Sequence, residues 1–115
     1  MSKRSLKLLI DDIWESIEKI ERYTEGMTRE SFQSDEKTSD AVVRNLEIIG
    51  EAAGRLPEEF MDSNSEIEWF KIVGLRNRIV HEYFGVDLEI IWQILNKDFS
   101  AFKKSLKGIR SELKD

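Results

Sequence analysis

The residues best able to do chemistry crowd into one stretch, Arg76-Asn77-Arg78-Ile79-Val80-His81-Glu82-Tyr83. An arginine stays charged at any physiological pH. Its planar fork can grip a phosphate and neutralise charge that builds on a phosphoryl group. A histidine titrates near pH 6.5 and can therefore move a proton in the neutral range. An asparagine can orient either one. Together, Arg76, Asn77 and His81 suit metal-free cleavage of RNA, in which a ribose 2′-hydroxyl attacks its own phosphate. The rest of the chain offers no glycine-rich phosphate loop, no Ser-His-Asp order and no metal-binding motif. It has no cysteine, which removes thiolate catalysis, disulfides and thiolate zinc sites, and its single histidine argues against a His-based metal centre. Neither a metal nor a cofactor is expected.

The elements that must carry these residues read as helices. Leu6, Leu9, Ile10, Ile13, Ile17 and Ile20 recur at helical spacing, which predicts a first helix over 5–23, stopped by Gly26. Thr28 can cap a short turn through Phe32. A second long helix is predicted from Ser39 or Asp40, with Val42, Val43, Leu46, Ile49, Gly50, Ala53 and Leu56 as its stripe. Pro57 ends it and can open a short helix. Asp62–Ser65 reads as a loop, and a third helix is predicted over 67–83, before Gly85. Asp87 then caps a fourth helix carrying Ile90, Ile91, Ile94, Leu95, Phe99, Phe102, Leu106 and Ile109. The expectation is an all-α fold, an antiparallel bundle of four to five helices forming a single domain over 1–115.

The predicted third helix breaks its own pattern. At about 100° per residue, Trp69 and Tyr83 fall within about 20° of Arg76, and Ile72 and Val80 within about 40°. Arg76 is thus expected amid an apolar stripe, with Asn77 and His81 at its border. A guanidinium there needs a partner. It could pair with Glu47 or Glu51, which share one face of the second helix. It could also snorkel outward, or line a cleft between two subunits. Arg76 and His81 stand about 140° apart on such a helix, so one copy presents them poorly to a single phosphate. Two copies about a two-fold axis could surround one cleft.

The formal net charge of −5 excludes a protein that coats nucleic acid by bulk charge. Locally, residues 69–83 carry +2 and 97–115 carry +3. Arg78 and Lys71, and beyond them Lys103, Lys104, Lys107 and Arg110, could steer RNA, although a solvated face is the simpler account. Trp69, Trp92 and Phe99 read as core or subunit interface, and Trp14 lies at the edge of the first helix's stripe. No apolar run is long enough to span a membrane. The N-terminus lacks a small-residue cleavage site, so a cytoplasmic protein without a signal peptide is expected.

The stretch from Trp69 to Phe84, with its Arg-Asn-x3-His-x-Tyr order, resembles the signature of HepT-like proteins within the HEPN superfamily. Arg44-Asn45-Leu46-Glu47-Ile48-Ile49-Gly50-Glu51-Ala52 resembles the second-helix signature of the same family, and the likeness covers residues 5–110. The resemblance implies a HEPN-like helical bundle that forms homodimers, with the motifs of both subunits lining a cleft. It implies a metal-independent endoribonuclease acting as the toxin of a type VII-like toxin–antitoxin system. The antitoxin would be a small MntA-type nucleotidyltransferase that transfers AMP from ATP to the motif tyrosine. By position, Arg76 and His81 match the catalytic pair, Asn77 the adjoining polar residue and Tyr83 the AMP acceptor.

Two other readings stay open on the residues alone. One is a non-catalytic module that binds a nucleotide, or handles substrate, as the partner subunit of a minimal nucleotidyltransferase. In that case Arg76 is an anion ligand and His81 is structural. The other is a helical dimerisation domain with Arg76 in an internal salt bridge.

Overall fold

The computed structural model describes residues 4–81 and 85–113, and the backbone alone of Val80 and His81. The first helix, α1 (Leu6–Thr24), starts where the Ser5 hydroxyl accepts the Leu8 amide at 3.2 Å. Its stripe is buried from Leu9 to Ile20. Gly26 turns the chain with φ at 74°, the left-handed region open to glycine. A short helix, α2 (Arg29–Ser34), follows behind a Thr28–Ser31 capping box.

The second long helix, α3 (Glu36–Gly54), begins a turn earlier than Ser39. Asp35 is the reason. Its carboxylate accepts the Thr38 amide at 3.0 Å and the Thr38 hydroxyl at 2.9 Å. Val42, Leu46, Ile49 and Ala53 are buried, and α3 forms the most extensive helix pair with α1. After Pro57 comes α4 (Glu58–Ser63), as the proline predicts.

The predicted third helix is not one element. It divides into α5 (Trp69–Val73) and α6 (Leu75–Ile79). The chain then becomes extended as β1 (Val80–His81), which pairs antiparallel with β2 (Gly85–Val86). Val80 stands opposite Val86 and His81 opposite Gly85, and the Asp87 amide closes on the Ile79 carbonyl at 2.7 Å. β-Branched Ile79 and Val80 favour leaving the helix, and Gly85 takes φ of 75°. With two residues per strand, this ribbon leaves the fold essentially all-α.

The last helical stretch opens at α7 (Leu88–Gln93), where Asp87 accepts the Ile90 amide at 3.1 Å as predicted. It passes through a π-helical turn over Ile94–Asp98 into α8 (Phe99–Glu112). The π turn has a cause in the sequence. Ile94 and Phe99 are five residues apart, and the wider turn lets both stay buried. Helix α8 runs antiparallel to α1, since Lys103 pairs with Glu21 while Arg110 pairs with Asp11 at 3.0 Å. No helix of the described residues is long and apolar enough to cross a membrane.

Candidate active-site face

Elements α5 and α6 form one helical arm with a jog at Gly74. The Gly74 amide still reaches the Phe70 carbonyl at 3.1 Å, and the Arg78 amide reaches the Gly74 carbonyl at 3.1 Å. Trp69 anchors the arm. Its indole N–H donates to the Asn64 carbonyl at 3.1 Å, and its ring lies 6.0 Å from Phe60 and 6.5 Å from Phe102. Trp69, Leu75 and Ile79 are buried and Ile72 half-buried, which defines the inner face. That face approaches α3 closely at Gly50. A Cβ added there would stand 3.2 Å from the Ile72 carbonyl oxygen and 3.5 Å from that of Val73. The glycine of the Ile-Gly-Glu-Ala stretch thus sets how near the arm lies to α3.

The outer face carries Phe70, Val73, Arg76 and Asn77, all exposed. Arg76 therefore does not sit in the apolar stripe where uniform helical spacing puts it. Leu75, absent from that stripe, takes the buried position, and Val73 faces out at 43% exposure. The two carboxylates considered as partners for Arg76 resolve accordingly. Glu51 is bound to Arg55 at 2.9 Å. Glu47 is exposed beside Val43, Arg44, Val86 and Leu88. Neither carboxylate bonds to Arg76, which has no ion pair among the described residues.

Lys71 and Arg78 turn the other way. They line a groove of about 190 Å³ between the arm and α8, together with Leu75, Lys97, Asp98 and Phe102. Lys71 pairs with Glu68 at 3.2 Å and Arg78 with Asp98 at 3.5 Å. The structure thus groups Arg76 with Asn77 and separates them from Lys71 and Arg78. Of the tail cations, Lys103 and Arg110 are held by α1 carboxylates and flank the Trp14 ring at 5.5 Å and 5.3 Å, while Lys104 and Lys107 are exposed.

His81 follows α6 in an extended strand, so the 140° separation predicted for a continuous helix does not apply. Tyr83 lies outside the described residues, as does the His81 side chain. Phe70 went unremarked in the sequence. Its signal was its helical phase, near +120° from Arg76 and close to the phase of Asn77 at about +100°. An exposed guanidinium with no carboxylate partner among the described residues, beside an amide, can accept an external anion at little desolvation cost.

The family model described as "Ribonuclease HepT-like" matches residues 13–109. The chain belongs to the HepT-like ribonuclease family. It is 40% identical over 108 residues to "Probable ribonuclease HepT" of Thermococcus cleftensis, covering 94% of this chain and 98% of that one. It is 38% identical over 116 residues to "Putative RNase MJ0127" of Methanocaldococcus jannaschii, covering 97% and 96% respectively. A second protein of that organism, "Gamma-glutamylcyclotransferase and putative RNase MJ0434", is 38% identical over 111 residues. That match takes in 96% of this chain and 50% of the relative. No solved structure matches the chain. The family is one of ribonucleases, in line with the RNA chemistry read from Arg76 and His81.

Proposed function

We propose that this chain is a cytoplasmic, metal-independent endoribonuclease toxin of a type VII-like toxin–antitoxin system, acting as a homodimer. The carrying observation is the exposed Arg76 guanidinium, without an ion pair among the described residues, beside Asn77 on the outer face of α6, with His81 in the strand that follows. In this reading one His81 imidazole takes the proton of the 2′-hydroxyl as its oxygen bonds to phosphorus. Arg76 neutralises charge on the equatorial oxygens of the resulting phosphorane. The bond to the 5′-oxygen breaks as the imidazolium of the second subunit protonates it, which leaves a 2′,3′-cyclic phosphate and a 5′-hydroxyl. Two copies across a two-fold axis supply the base and the acid that one copy, with a single histidine, lacks. Asn77 orients the phosphate. Glu47 and Glu51 have no place in this scheme as direct partners of Arg76.

Tyr83 is the control point. AMP transferred to its hydroxyl from ATP, with release of pyrophosphate, adds a bulky anion two residues beyond His81. That anion competes with an RNA phosphate for Arg76. The test is incubation with an MntA-type nucleotidyltransferase and ATP. A mass gain of one AMP, lost in Tyr83→Phe and accompanied by loss of RNA cleavage, supports the reading. Cleavage that persists in fully modified protein contradicts it.

A further inference from the structure

Phe70 is 73% exposed, the most exposed of the large apolar side chains among the described residues. It stands on the same outer face as Val73, Arg76 and Asn77, while its neighbour Trp69 is buried. A phenylalanine so far out of the core is costly in water unless something covers it. We infer that Phe70 is a stacking platform for a base of single-stranded RNA whose backbone crosses Arg76 and Asn77. The inference rests on the RNA-cutting reading of that face.

Size and spacing favour this occupant over a second copy of the chain. A second copy stands across the proposed cleft from Arg76, but Phe70 alone, offering on the order of 200 Å², is too small to make the subunit contact, which takes about 800 Å² per partner. Val73 adds little at 43% exposure, and Arg76 and Asn77 continue the face as polar surface. The patch is that of one nucleobase. Phe70 and Asn77 are seven residues apart on a nearly continuous helical arm, about 10 Å along its axis. That is about three stacked nucleotides at about 3.4 Å each. Charge points the same way. A protein of net charge −5 has little bulk attraction for RNA, so affinity must come from local contacts, and every base has a ring face to stack.

The test measures binding of a short, labelled single-stranded RNA of mixed sequence by fluorescence anisotropy over a range of salt concentrations. The parent is His81→Ala, which cannot cut the probe. Phe70→Ala and Phe70→Leu in that background should each lose about tenfold in affinity at every salt concentration, with the salt slope unchanged. Phe70→Trp should bind at least as tightly as the parent. Sedimentation velocity should show the same oligomeric state throughout. Unchanged affinity in Phe70→Ala and Phe70→Leu overturns the stacking role while leaving the RNA reading intact. An altered oligomeric state overturns it by assigning Phe70 to a subunit contact. A parent that binds no RNA overturns both the stacking role and the reading beneath it.

Discussion

Replacing Gly50 with alanine tests how the arm that carries Arg76 is positioned. On helix propensity alone the change should stabilise α3, because alanine is favoured over glycine in a helix interior by about 1 kcal/mol. Packing acts against it. The new methyl would stand 3.2 Å from the Ile72 carbonyl oxygen, 3.5 Å from that of Val73 and 3.8 Å from the Leu75 Cβ. The nearest two are backbone atoms and cannot rotate away. The arm must shift by a few tenths of an ångström, yet Trp69 pins its start to Asn64 and Phe102. Overpacking of this kind costs about 1–3 kcal/mol, so the net expectation is destabilisation by about 1 kcal/mol. The melting temperature should fall by about 4 °C, with protomer concentration held fixed. Gly108→Ala in α8 is the matched control, because no atom lies within 4 Å of its new methyl. It should gain about 0.5–1 kcal/mol. Thermal and urea unfolding of both variants decide the matter. If Gly50→Ala is stabilised as much as Gly108→Ala, the close approach at Ile72 does not constrain the arm.

Other outcomes follow from the same contacts. Arg76→Ala should leave stability within about 0.5 kcal/mol, since the side chain is exposed and unpaired among the described residues, while RNA cleavage falls on the order of 100-fold. Arg78→Ala, which breaks only a surface pair with Asp98, should change cleavage by less than about tenfold, and equal losses from the two would refute the separation of the two faces. The backbone amide and hydroxyl of Thr38 hold the Asp35 carboxyl below its usual range. A lowered folded-state value means stabilisation that is present above the ordinary carboxylate pKa and lost as pH falls through the folded one. The stability advantage of wild type over Asp35→Ala should therefore hold steady near neutrality and narrow below about pH 4. A gap that stays constant in acid would contradict this.

Much of the fold was legible because long amphipathic helices repeat their signal. The stripes of α1 and α3, the stop at Pro57 and the cap at Asp87 all emerged from spacing and residue type. The misses share one physical cause, the assumption of a uniform turn angle. Over 69–83 it ignored Leu75 as a core residue, carried the helix past the β-branched pair Ile79-Val80 and so buried Arg76. Over 88–112 the same assumption hid the π turn, because Leu95 stands four residues before Phe99 and met ordinary helical spacing, whereas the structure buries Ile94 and leaves Leu95 half-buried. Asp35 was missed as a cap because the apolar stripe of α3 starts a turn after its helix does. The candidate site was legible as residue types in order along the chain. Its partners were not, because ion pairs such as Glu51 with Arg55 depend on which way each face turns.

The most direct test of the central claim is RNA cleavage in EDTA by the unmodified protein, alongside folded His81→Ala, with end-group analysis of the products. Cleavage by the unmodified protein alone, leaving 2′,3′-cyclic phosphate and 5′-hydroxyl ends, is the predicted result. Equal cleavage by both proteins, or 3′-hydroxyl ends, would contradict the roles given to Arg76 and His81.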